Sequence, residues 1–418
     1  MVEKEVLDDG LTLLFERVPA FRSASIGVWL RMGSAHEPKR LGGICHFIEH
    51  LLFKGTQTRS AREISLLTDR MGGNLDAFTS KEMTCFYCRV LDEHLPTAVE
   101  LLSDIVRRPL FDPEEFERER RVIVEEIRMV NDAPEDRIYD LFCESFWPRH
   151  ALGRPIQGTE ASVLEMTPRT VSRFFRRAYV PENMLVSIAG RFSARDRRRI
   201  RAAFSGLPSG KRVVAPRSPR FVPEVVRETR KQLEQMHLLL GVPALPQGDE
   251  RRFALHLLNT LLGGSISSRL FRTIREERGL AYAVSSHVHA HEGAGLITIY
   301  AGSSPENARQ VLRLAMEGLR EIAASAPSSE EVDVARDHLK GNMLLALEST
   351  TSRMSRAARE EMVLGRHLDT EEISDQLDAV TPEALRVLAE QLFSGQRIAL
   401  ALVGRTGGLR LRDRELIV

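Results

Sequence analysis

The chain has 418 residues, 43% of them hydrophobic and 28% charged, with 59 basic residues set against 58 acidic ones. That length favours two domains of about 200 residues over a single core, and the composition excludes a disordered or fibrous protein. The near-cancelled charge argues against nucleic-acid or membrane-surface binding driven by net charge.

The opening segment, MVEKEVLDDGLTLLF, is acidic from the start and lacks a continuous apolar run, so it does not read as a signal peptide. No stretch approaches the roughly 18 apolar residues of a membrane span. SASIGVWLRMGS (23–34) reads as a strand, residues 40–54 as a helix, and EMTCFYCRVL (82–91) as a second strand. Residues 93–107 and 113–131 read as helices. The latter carries a strong start signal, with Asp112 at the N-cap, Pro113 in the first helical position and Glu114 and Glu115 in the first turn. Cys85 and Cys88 form a C-x-x-C, but on a strand they point to opposite faces, which speaks against a metal or redox pair. With Cys45 and Cys143 they make four cysteines, too few for a disulfide scaffold, and a reducing, cytoplasmic compartment is expected.

LPSGKRVVAPRSPRFVPE (207–224), rich in Pro, Ser and Arg, is the best linker, dividing the chain into domains at 1–206 and 225–418. A weak echo joins the two parts at an offset of about 216 residues. DPEEFERERRVIVEE (112–126) aligns with SSEEVDVARDHLKGN (328–342), MLVSIAGRF (184–192) with IALALVGRT near the C-terminus, and HLLFKG more loosely with SRLFRT. Such a period suggests duplication into two similar α/β domains rather than a solenoid.

GGICHFIEHLLFKGT (42–56) places His46, Glu49 and His50 within five positions of a helix. Positions i and i+4 lie one above the other, so both imidazoles can aim at one point, with Glu49 on the same side. Two neutral histidines and a carboxylate suit Zn²⁺, which needs a third protein ligand if one position is to stay open for water. The pattern is the H-x-x-E-H arrangement, and the competing reading is two ordinary helix histidines. On the later helix, Glu119 and Glu126 are seven residues apart and share a face. They read either as a solvated stripe or, for Glu126 beside the apolar run RRVIVEEI, as a core-edge carboxylate. Opposite His46, Glu49, His50 and Glu126 the second half offers Gly, Ser and Asn342, so it has no ligand set of its own.

GSAHEPKRLGGICHFIEHLLFKGT, GGNLDAFTSKEMTCFY and ERERRVIVEEI together resemble the pitrilysin or insulinase-type (inverzincin) zinc metallopeptidases. The likeness is closest to the short two-domain branch of bacterial processing proteases and the mitochondrial processing peptidase β subunit, and it covers most of the chain. It implies two similar α/β (α+β) domains, each a mixed sheet packed with helices, enclosing a cavity. It also implies one Zn²⁺ per chain held by His46, His50 and Glu126, with Glu125 the neighbouring candidate, and Glu49 as general base. Glu119 matches an upstream glutamate that supports the catalytic set. GGSISSRLFRTIREERGLAY (263–282) is similar to the family's second-domain motif, which makes Arg275 and Tyr282 catalytic partners; Ser265 departs from the usual third glycine.

The implied activity is endopeptidase cleavage of extended or unfolded, presequence-like peptides, which would add to GGNLDAFTSKEMTCFY as an edge strand. A homodimer is implied, with no nucleic-acid or membrane partner. The rival readings are a non-catalytic scaffold subunit of the same family and a non-proteolytic metal enzyme. His287, His289 and His291 alternate along SSHVHAHEG without a matching carboxylate and read as an exposed strand face, while LLGGSISSRL lacks the lysine of a phosphate loop.

Overall fold

The computed structural model describes residues 2–214 and 216–418. The chain is mixed α/β and forms two compact units, each built on one sheet.

The first unit holds six strands: β1 (Glu3–Val6), β2 (Thr12–Arg17), β3 (Ser23–Leu30), β4 (Asn74–Thr79), β5 (Thr84–Leu91) and β6 (Met184–Gly190). Their order is β1-β2-β6-β3-β5-β4, with β2 and β6 parallel and every other neighbour antiparallel. The second unit holds β7 (Val225–Thr229), β8 (Met236–Ala244), β9 (Ala281–Ala290), β10 (Gly295–Ser303) and β11 (Ala399–Gly404), in the order β7-β11-β8-β10-β9. Here too one parallel pair, β7 with β11, precedes an antiparallel run. Thus β6 and β11, the two strands of the sequence echo, take the same place in their sheets. This repeated topology is the structural trace of duplication.

The helices expected in the first half are present: α1 (Ile44–Leu52), α3 (Leu95–Arg107) and α4 (Pro113–Asp132), with α2 (Ala61–Met71) between the first two and α5 (Pro134–Phe146) after the last. Asp112 caps α4 as its position predicts, its Oδ1 accepting from the N–H groups of Glu114 at 2.9 Å and Glu115 at 3.1 Å. Cys85 and Cys88 lie in different apolar clusters, on opposite faces of β5, and both are free thiols.

Packing does not follow the division of the chain at 207–224. That segment contains no helix or strand among its described residues, and Ala215 within it lies outside them. The first unit comprises Met1–Arg128, Arg154–Pro216 and Leu345–Leu368; the second comprises Met129–Gly153, Arg217–Leu344 and Asp369–Val418. Each half therefore lends one helix to the other half's unit. The reason lies in the sheets, which are apolar on both faces. In the first unit Ile26, Val28 and Leu30 of β3 turn toward the main core with α1 and α3, whereas Trp29, Leu14 and Leu185 turn to the other face. The helix Thr350–Leu364 covers that face with Met354, Ala357 and Ala358. Ser25 Oγ meets Thr350 Oγ1 at 2.8 Å, and a Cβ on Gly27 would sit 2.8 Å from Met354 Sδ, so a side chain there would force Met354 to move. In the second unit α5 does the same over β8, where a Cβ on Gly241 would lie 2.4 Å from Phe142 Cζ. No helix among the described residues is long and apolar enough to cross a membrane.

Candidate metal centre

α1 is buried along almost its whole length through Ile44, Cys45, Phe47, Ile48, Leu51 and Leu52. α4 packs across it, with the rings of Phe47 and Phe116 stacked at 4.6 Å. This packing turns the spacing of α1 (His46, Glu49, His50) toward the spacing of α4 (Glu119, Glu126). The outcome is one cluster, His46, His50 and Glu126, in which one ligand atom from each residue lies within 4.8 Å of the other two. Among the described residues it is the one group of three or more such side chains able to hold a metal ion.

His46 Nε2 lies 3.7 Å from Glu126 Oε1, and His50 Nε2 lies 3.5 Å from Glu126 Oε2. These separations are long for hydrogen bonds. Two ligand atoms each about 2.0–2.1 Å from a tetrahedral zinc lie about 3.4 Å apart, so the spacing and the N,N,O donor set fit that ion. Glu125 is exposed and paired with Arg128 at 2.7 Å, outside the cluster. Glu119, buried, accepts from His50 Nδ1 at 3.1 Å and from Lys54 Nζ at 2.7 Å. A carboxylate can only accept, so His50 Nδ1 carries a proton and Nε2 is the nitrogen that faces the cluster. His46 Nδ1 is buried without a hydrogen-bond partner among the described residues, so packing alone orients that ring.

The charges follow the geometry. Burial, and then neighbouring His50, hold the His46 pKa down to about 4, which keeps the ring neutral. Burial also opposes protonation of His50, but its hydrogen bond to Glu119 and the nearby Glu126 carboxylate prevail and raise it to about 9. The pull of two carboxylates on His50 is the pull a bound cation would take over. Glu126 is lowered chiefly by the neighbouring His50. Glu49 stands outside the cluster: burial raises its pKa, partly offset by a hydrogen bond from the Thr79 hydroxyl at the end of β4.

Arg275 and Tyr282 belong to the second unit. Arg275 lies on the short π-helical turn Phe271–Glu276, its guanidinium carbon 5.0 Å from the Tyr282 ring centre and 4.8 Å from that of Phe271. Tyr282 itself is 78% exposed. Of the three alternating histidines His287 is exposed, as a strand face would be, but His289 is partly covered: α5 sets Tyr139 against it, the ring centres 6.0 Å apart, and burial drives the His289 pKa down to about 4.

Three contacts had no signal in the sequence. Thr79 sits inside the expected edge strand as one polar residue among several. Lys54 follows His50 by one helical turn. Gln157 donates its side-chain amide to Glu126 Oε1 at 2.9 Å from a loop that shares no motif with either helix.

Residues 12–160 match the family described as Insulinase (Peptidase family M16), and residues 165–339 match Peptidase M16 inactive domain. The chain is 38% identical over 409 residues to the uncharacterised zinc protease YmxG of Bacillus subtilis, covering 98% of this chain and 100% of that protein. It is 39% identical over 423 residues to the uncharacterised zinc protease Rv2782c of Mycobacterium tuberculosis, covering 99% and 95%. In fold it resembles a protease from Helicobacter pylori, with a TM-score of 0.88 at 21% identity over 97% of this chain and 99% of that one. It also resembles a chain of Complex III2 from Candida albicans, with a TM-score of 0.86 at 16% identity over 99% of each. By these similarities, which span both halves, the chain belongs to the insulinase family of peptidases, peptidase family M16.

Proposed function

We propose that this chain is a zinc-dependent endopeptidase acting on extended or unfolded, presequence-like peptides. The observation that carries the reading is the convergence of His46, His50 and Glu126, with a raised-pKa carboxylate, Glu49, beside the cluster but not in it. His46, His50 and Glu126 would hold one Zn²⁺, which would supply Lewis-acid polarisation of water near neutral pH. Glu119 keeps His50 in the ligating tautomer. Glu49, held by Thr79, takes the water's proton as the scissile carbonyl is attacked and returns it to the leaving amine. Arg275 and Tyr282 donate hydrogen bonds to the substrate and to the oxyanion that develops on it.

β4 is an edge strand, paired only with β5. An extended peptide joins it by main-chain pairing, which reads backbone more than side chains and so favours unfolded substrates. Residues 1–206 form the zinc-binding part, 207–224 the join, and 225–418 the part that supplies Arg275 and Tyr282. Since both residue sets are present in one chain, a homodimer needs no specialised partner. The buried thiols of Cys45, Cys85 and Cys88 support a reducing, cytoplasmic setting.

A scaffold role is the second reading, favoured by the fold shared with the Complex III2 chain. The complete set of ligands and base weighs against it.

The test is Glu49→Gln, scored by zinc content and by cleavage of a denatured protein. Zinc should stay bound while turnover falls by about 10² or more. Loss of zinc would make Glu49 a ligand. Wild type that neither binds zinc nor cleaves would support the scaffold.

A further inference from the structure

The first-turn N–H groups of a helix need acceptors, and the residue that begins α1, Gly43, has no side chain to provide one. It cannot be exchanged for a residue that does. Gly43 has φ +90°, and a Cβ on it would lie 2.2 Å from the carbonyl oxygen of Gln157. A carboxylate from six residues upstream fills the role. One oxygen of Glu37 accepts from the Gly43 N–H at 2.7 Å, and the other accepts from the Cys45 N–H at 2.8 Å.

Glu37 is itself held from behind. It is 5% exposed, and its main-chain carbonyl accepts from Arg154 Nη2 at 2.8 Å. The Arg154 carbonyl accepts in turn from Lys81 Nζ. Burial pushes the Glu37 carboxyl up to about 7 against the pull of its two main-chain bonds. A buried carboxylate is a poor source of stability. What two bonds from one rigid group supply is direction, because they fix both the start and the rotation of the helix.

His46 follows Cys45 directly, and Glu49 and His50 lie within the next turn. We infer that Glu37 is a positioning residue for the metal centre: by holding the N–H groups of Gly43 and Cys45 it sets the angle at which His46, Glu49 and His50 meet α4. The inference rests on the zinc reading above, and it concerns a residue that touches neither metal nor substrate.

The experiment uses the full-length chain and Glu37→Gln, which keeps the volume but turns an NH₂ toward one of the two N–H donors. Glu37→Asp serves as a second variant that retains charge but shortens the reach. Three quantities are read: zinc affinity by competition with a chromogenic chelator, the visible spectrum of the cobalt-substituted protein, and kcat and KM on an unfolded peptide. Zinc affinity should fall by about tenfold or more, as it does when groups supporting metal ligands are removed. The cobalt bands should shift, and kcat should fall with KM unchanged, since β4 is untouched. Glu37→Asp should lie between wild type and Glu37→Gln on all three scales. Unchanged affinity and cobalt spectrum in both variants would overturn the inference, even with a lowered melting temperature. Wild type that takes up neither zinc nor cobalt would instead overturn the functional reading.

Discussion

Glu119 and His50 are joined by a 3.1 Å hydrogen bond from the imidazole Nδ1 to a carboxylate that also accepts from Lys54. This bond decides which nitrogen of His50 faces Glu126. Glu119→Gln should therefore lower zinc affinity about 10–100-fold while leaving the helix in place. Chelator competition reads it directly, and an unaltered dissociation constant would reduce Glu119 to a partner for Lys54.

The two adjacent glutamates of α4 should separate cleanly. Glu126→Gln should empty the site at moderate zinc concentrations, because an amide oxygen is a far weaker ligand than a carboxylate. Glu125→Gln removes only an exposed pair with Arg128, and its zinc content should match wild type. The opposite pattern in metal analysis would move the ligand one residue upstream.

Tyr282→Phe removes one exposed hydroxyl. If that hydroxyl reaches the developing oxyanion, kcat/KM should fall about 10²-fold with zinc content and melting temperature unchanged. Equal activity in the variant would leave Tyr282 as no more than a ring beside Arg275.

A stability test lies far from the metal centre in sequence. Arg269 grips Glu331 with two bonds, at 2.8 and 3.0 Å, and holds its carboxyl down to about 2 from the usual 4.5, helped by the Ser328 N–H. Because the folded value is the lower one, the stabilisation is complete above about pH 4.5 and disappears as pH falls toward 2. Glu331→Gln should thus melt below wild type at neutral pH, with the gap shrinking below about pH 4.5 and closing only below about pH 2. A melting gap that does not change with pH would show that the ionised pair contributes nothing.

Gly241→Ala places a methyl against the Phe142 ring and should cost about 1–3 kcal/mol, read as a lowered denaturation midpoint. No loss of stability would mean that α5 shifts freely on its sheet.

Much of the centre is readable in the sequence because it depends on local periodicity. H-x-x-E-H fixes a helix face by itself, and the seven-residue step from Glu119 to Glu126 fixes another. Gln157 is not readable in this way, since its bond to Glu126 depends on how a loop about 30 residues away in sequence is folded. The exchange of helices is hidden for a related reason. Phe142 and Met354 look like ordinary apolar positions on amphipathic helices, and nothing local says which sheet each will cover. Gly27 and Gly241 are the only marks left on the strands. Each reads as a weak strand position until the helix above it is known.

That exchange also sets a timetable for synthesis. The sheet beneath α1 includes Trp29, Leu14 and Leu185, yet the helix that shields them spans Thr350–Leu364, far downstream of all three. A ribosome-bound chain that has completed β6 must carry this apolar face uncovered for about 160 further residues. The first unit therefore cannot be completed before this helix has emerged, and transiently exposed apolar surface of this kind is prone to aggregate. A chain truncated before Leu345 would keep His46, His50 and Glu126 and still lack the cover its sheet requires.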